Sequence, residues 1–139
     1  MKKILLIIMI LVIGGCSTKE VKKEVSDNLP NVSVIINNEK YILTLENNDT
    51  VKQFIKELPK EYNMKELNGN EKYVYLNSNL PTKPYNPKQI NKGDIMLYGD
   101  NCLVIFYQSF NTNYSYTKIG HIDNLPDLGN GNITIRFEK

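Results

Sequence analysis

From Asn31 onward, asparagine, glycine and proline cut the chain into short β-rich runs, and this punctuation constrains the fold more than any other feature. VSVII and EKYILTLE flank Asn37-Asn38. Asparagine tolerates positive φ, so the pair marks a hairpin. MKEL and KYVYL flank Asn68-Gly69, the stronger form of the same signal. GDIMLY and CLVIFY flank Gly99-Asp100-Asn101. The second of these runs is apolar on both faces, as a central strand covered on two sides would be. Residues 113–122 supply a further strand. The last run alternates Ile133, Ile135 and Phe137 with Thr134, Arg136 and Glu138.

Only one stretch has helical periodicity. Asp49-Thr50 opens it, and Thr50 with Gln53 fits a capping box. Val51, Phe54, Ile55 and Leu58 share one face, and Pro59 ends the run. Residues 77–91 contain Pro81, Pro84 and Pro87 and are expected to form a long surface loop. Leu125–Leu128 reads as a short turn or 3₁₀ piece. The fold expected is mainly β: a closed antiparallel barrel of seven or eight strands with one short capped helix and a minor helical turn. Closure removes the exposed strand edges that an open sheet would present.

The N-terminus has a different chemistry. Lys2 and Lys3 precede an unbroken apolar run from Ile4 to Ile13. That run is too short for a bilayer span, which needs roughly 20 residues, and fits the core of a secretory signal. Ile13-Gly14-Gly15-Cys16 resembles a bacterial lipobox, which implies lipidation of Cys16. The division expected is a lipoprotein signal peptide over 1–15, a lipidated flexible tether over 16–30 and a barrel domain over 31–139. The protein would then sit in a bacterial cell envelope, outside the cytoplasm and held to a membrane through the lipid on Cys16. More than one acyl chain makes such attachment stable. With Cys16 lipidated, Cys102 has no disulfide partner in the chain and reads as a buried, inert thiol.

Charge excludes one class of partner. The formal net charge is +2, and Lys2 and Lys3 of the signal account for it. Arg136 is the only arginine. A nucleic-acid surface needs a basic excess and arginine forks, so nucleic acid is not an expected partner. One histidine and scattered acids lack zinc or calcium spacing, and no cofactor motif is complete.

His121 lies near Ser115 and Asp123, residue types that belong in active sites. On a regular strand Ser115, Thr117, Ile119, His121 and Asp123 share one face, and Ser115 and His121 are about 20 Å apart at ~3.3 Å per residue. They cannot act together, and no catalytic residue is assigned. The aromatics carry more information. Tyr98, Phe106, Tyr107, Phe110, Tyr114 and Tyr116 fall close together, with Phe106 and Tyr107 on opposite faces. Candidate ligand-binding residues are Phe106, Phe110, Tyr114, Tyr116, His121 at the rim and Arg136. Phe110 and Tyr114 are the expected exposed members.

GDIMLYGDNCLVIFY, Tyr116-Thr117 followed by Ile119-Gly120, and Gly131 with its alternating apolar strand resemble the bacterial cyclophilin-like domain family. The resemblance spans about residues 31–139 and implies a cyclophilin-like closed barrel with helical plugs. It implies no settled activity. The prolyl-isomerase cyclophilins carry a Phe-His-Arg segment and a Phe-Met-Gln-Gly-Gly-Asp-like run, and neither occurs here. Three functions stand open at this point. One is a membrane-anchored module binding a peptide or small molecule. The second is an isomerase in which Arg136 polarises the amide. The third is an interaction module for other envelope proteins.

Overall fold

The computed structural model describes residues 28–139. The signal over 1–15, Cys16 and the tether up to residue 27 lie outside the described residues. Strands β1 (Val32–Ile36), β2 (Glu39–Leu45), β3 (Lys60–Leu67), β4 (Glu71–Tyr75), β6 (Asp94–Tyr98), β7 (Cys102–Phe106), β9 (Thr117–Ile122) and β10 (Ile133–Glu138) form a barrel. Its order is β1-β10-β3-β4-β7-β6-β9-β2, closed by β1 against β2, with every pairing antiparallel. Two further strands, β5 (Gln89–Ile90) and β8 (Phe110–Asn111), pair with each other alone.

Local chemistry explains the turns. Asn37 and Asn38 have φ of 50° and 65°, and Asn68 and Gly69 have 55° and 69°. Two consecutive residues in the left-handed region match the right-handed twist of the strands they join. The helix α1 (Asp49–Phe54) runs into a 3₁₀ turn at Ile55–Glu57. This turn is the minor helical piece; Leu125–Leu128 is irregular instead, and its two leucines are buried in the core. The capping box is also corrected. Asn48 is the N-cap, its Oδ1 accepting from Val51 N at 2.8 Å, while Thr50 is buried and donates its hydroxyl to Pro81 O. Thr50 is drawn off because its side chain faces the Pro81 carbonyl of another segment.

Alternation fills the barrel. Val32, Val34 and Ile36 of β1, Tyr62 and Met64 of β3, Leu103 and Ile105 of β7, and Ile135 and Phe137 of β10 all point inward. Val51, Phe54 and Leu58 join the same core from α1 and its continuation. Burying one such side chain is worth about 1.5–3 kcal/mol, so the helix is held by its apolar face more than by its length.

β7 is buried at every position, and the reason is a second, smaller core. Cys102, Val104 and Phe106 face outward, where they meet Ile90, Met96 and Tyr116. The cover over this outer wall comes from residues 77–91 and 108–116. Residues 77–91 are therefore more than the expected surface loop. Leu80 N donates to Asp100 O at 2.7 Å, Tyr85 and Tyr116 exchange two backbone bonds of 2.9 Å, and Gln89–Ile90 forms β5. The strand expected over 113–122 is shorter and begins at Thr117.

Strand β9 also breaks alternation. Ile95 pairs with Gly120 but Met96 pairs with Lys118, leaving Ile119 as a bulge. Ile119 and Ile122 consequently both enter the core, and His121 points to the outside. The single face expected for Ile119 and His121 does not exist. Gly120 is required there: a Cβ would lie 2.4 Å from Thr44 O.

Candidate functional site

A groove of about 360 Å³ opens on the outer wall beside β4 and β7. That is the lower end of the size range for small-ligand sites. Alternation along β4 sends Glu71, Tyr73 and Tyr75 outward to one side of it, while Lys72 and Val74 turn inward. Cys102 and Val104 of β7 form the floor. Tyr98 from the end of β6 and Phe110, Tyr114 and Tyr116 from the covering segment form the opposite side. Leu67, Asn68 and Asn70 from the β3–β4 turn close one end.

The aromatic rings brace one another. Tyr98 packs edge-on to Tyr114 at 6.1 Å between centroids and tilted on Tyr116 at 5.7 Å. Phe106 supports the wall from beneath, 5.6 Å from Phe110 and 5.5 Å from Tyr116. Tyr73 and Tyr75 form a further edge-on pair at 5.9 Å. Such pairs fix ring orientation beyond what burial alone provides. Tyr75, Tyr98 and Tyr114 remain exposed at the rim, at 66%, 48% and 64% of their full area.

The polar groups in the groove are few. Burial pushes the Glu71 carboxyl up, and the nearby charge of Glu66 adds to the effect. The Cys102 thiol is pushed up to about 11 by burial, with Glu71 contributing. A thiol held that far up is protonated at neutral pH and is not a nucleophile. Among the described residues, no group of three or more His, Cys, Asp or Glu side chains could hold a metal ion.

The sequence pattern that defines the cyclophilin-like family matches residues 34–138. The chain belongs to the cyclophilin-like family. No curated protein matches it significantly. Within this cyclophilin-like barrel, four of the candidate ligand residues gather at one place: Phe110, Tyr114 and Tyr116 line the groove, and Phe106 lies buried behind them.

His121 and Arg136 stand elsewhere on the cyclophilin-like barrel. The His121 Nδ1 lies 2.9 Å from Oδ1 of buried Asp94, and its Nε2 lies 3.4 Å from Asp123. Asp94 is itself held by Asn91 N at 2.8 Å. This pair ties β6 to β9 next to the bulge. Arg136 lies on β10, with β3 and β4 between it and β7, and its Nε is 2.7 Å from Glu138 Oε1. The arginine and the aromatic groove that a non-classical isomerase site would combine are therefore set apart by β3.

Sequence reasoning missed Glu71, Asn70, Tyr73, Tyr75 and Tyr98 as groove residues. The alternating E-K-Y-V-Y run carried a signal: Glu71, Tyr73 and Tyr75 share a face on any regular strand. That this face meets Phe110 and Tyr114 depends on β4 pairing with β7, a contact between distant parts of the chain.

A second polar cluster sits inside the barrel end. Lys72 is fully buried; its Nζ donates to Glu66, to Gly129 O and Gly131 O at 2.6 Å each, and lies 4.9 Å from the Tyr107 ring centroid. Tyr107 OH donates to Glu66 Oε1 at 2.7 Å. Burial works to raise the Glu66 carboxyl, but hydrogen bonds from Lys72 and Tyr107 outweigh it and hold the group low. Every donor of the ammonium is engaged, so this cluster is a structural lock.

Proposed function

We propose that this cyclophilin-like protein is a lipid-anchored binding module that holds a peptide or small molecule in the outer-wall groove without covalent chemistry. The braced aromatic wall with a partly exposed rim carries this reading. The volume matches roughly a dozen water molecules at about 30 Å³ each, enough for a small molecule or a few residues of extended peptide. The protonated Cys102 offers no nucleophile, and the groove wall contains neither His121 nor Arg136.

Anchoring rests on the apolar run Ile4 to Ile13 followed by Gly14-Gly15-Cys16. Cys16→Ser should move the protein from the membrane fraction to the soluble fraction and abolish incorporation of labelled palmitate. Unchanged fractionation would remove the anchoring proposal.

The binding reading is tested by thermal shift and NMR on residues 31–139 against peptide and envelope-metabolite libraries. Hits should move the Tyr98, Phe110 and Tyr114 resonances. No hit in either library would count against a binding module. A proline-isomerisation assay on the same protein should give the background rate, and Arg136→Ala should not change it. Catalysis lost in Arg136→Ala would restore the isomerase reading.

A further inference from the structure

Glu71 is the one charged residue on the groove wall, among the described residues. It lies directly across from Phe106 in the β4–β7 register, against the outer aromatic cluster. No hydrogen bond or ion pair from the described residues engages its carboxylate. Burial and the like charge of Glu66 are the influences it feels. Next to it in the chain, Asn70 also lines the groove, but its unpaired Oδ1 is buried and not open to a ligand. Tyr73 follows Glu71 on the same face of β4, while Tyr75 and Tyr98 flank Cys102 at the far end of the groove.

Each class of ligand fares differently here. An anion would meet the Glu71 charge and find no lysine or arginine on the wall. A purely apolar ligand would cover the carboxylate and leave it unpaired, which is unfavourable. A quaternary ammonium would satisfy a ring face but has no N–H for the carboxylate. A cation with N–H groups meets both requirements: charge and hydrogen bonds on the Glu71 carboxylate, with Tyr73 beside it on the same strand face.

Granted that the groove is a binding site, we propose that it recognises its ligand through a primary ammonium or guanidinium group paired with the Glu71 carboxylate beside Tyr73. Two sources share this chemistry, a free small amine and a lysine or arginine side chain on a peptide.

The test is titration of the full chain by NMR, following Tyr98 and Tyr114, with a capped Gly-Lys-Gly tripeptide and its norleucine counterpart. Butylamine, methylguanidine and tetramethylammonium form a second arm. The lysine peptide should bind about tenfold tighter than the norleucine peptide, the size of one charge-assisted hydrogen bond. Butylamine should exceed tetramethylammonium. Glu71→Gln should erase the lysine preference. The variant should keep wild-type thermal stability or better, which separates lost recognition from lost folding. A lysine peptide that outbinds butylamine identifies a peptide source, and the reverse identifies a free amine. Equal binding of the lysine and norleucine peptides, or a Glu71→Gln variant with full lysine preference, overturns the cation assignment and leaves the groove standing. If no probe moves the two tyrosines, the cation assignment falls, and the peptide and metabolite libraries decide the groove.

Discussion

Glu66 and Glu71 are five residues apart, and their environments push them in opposite directions. Glu66 is held low by Lys72 and Tyr107, so the stability it contributes is present above the unfolded value of about 4.3 and is lost as pH falls through its lower folded value. Glu71 is raised, so the sign reverses. The folded state binds its proton more readily than the unfolded chain, and stability is lost as pH rises from about 4.3 through the folded value. Glu71→Gln should therefore raise the urea midpoint at pH 7 relative to wild type and converge with it near pH 3. Lys72→Met should do the opposite at neutral pH, losing about 3 kcal/mol because a paired carboxylate and two carbonyl acceptors lose their partner. It should also flatten the acid limb of the stability curve. Urea titrations across that pH range would read all of these effects. Neither role was legible in E-L-N-G-N-E-K. Charge, turn and strand type are visible there, but the direction in which each charge is buried is not.

At the scale of elements, two local features tie strands to the helix. The Asn48 Oδ1 caps α1, while its Nδ2 donates to Lys118 O at 2.7 Å, joining helix and β9. Asn48→Ala should cost about 1–2 kcal/mol, measured by urea unfolding, where Gln53→Ala should cost little. Equal losses would return the cap to Thr50 and Gln53. Gly120 is the second feature. A methyl there would press on the Thr44 carbonyl and Leu43 Cδ1, at 2.4 and 2.8 Å. Gly120→Ala should destabilise by at least about 2 kcal/mol, since backbone on the partner strand cannot move aside cheaply. The hairpins at Asn37-Asn38 and Asn68-Gly69 were legible because a turn's φ requirement is written in its own residues. The bulge at Ile119 was not, because it is a difference in count between β6 and β9 that neither strand carries alone.

For the whole molecule, the two cores differ in how they are closed. The inner core is sealed by a continuous ring of eight strands. The outer core is covered by irregular chain pinned through the β5–β8 pair and the Tyr85–Tyr116 bridge. Native-state hydrogen exchange should show the Tyr85, Gln89 and Thr112 amides opening at lower free energy than those of β4 and β7. Ligand binding in the groove should slow the former selectively. Uniform exchange across both sets would mean that cover and barrel unfold as one unit.

Sequence alone determined the β-rich runs, their turn residues, the single apolar helix face, the two-faced burial of CLVIF and the signal-like N-terminus. Those follow from side-chain size, φ tolerance and periodicity, which act over a few residues. Tertiary structure decided which strands neighbour each other, where alternation slips, and which side chains meet outside the barrel. Tyr114 could be named as an exposed aromatic from the sequence, whereas Phe110, expected to be exposed beside it, is half-buried against the outer core; their partners Glu71, Tyr73 and Tyr75 lie about forty residues earlier in the chain. Closure of the barrel brings them together, because antiparallel pairing of β4 with β7 is a contact whose energy appears only after the intervening loop has been ordered.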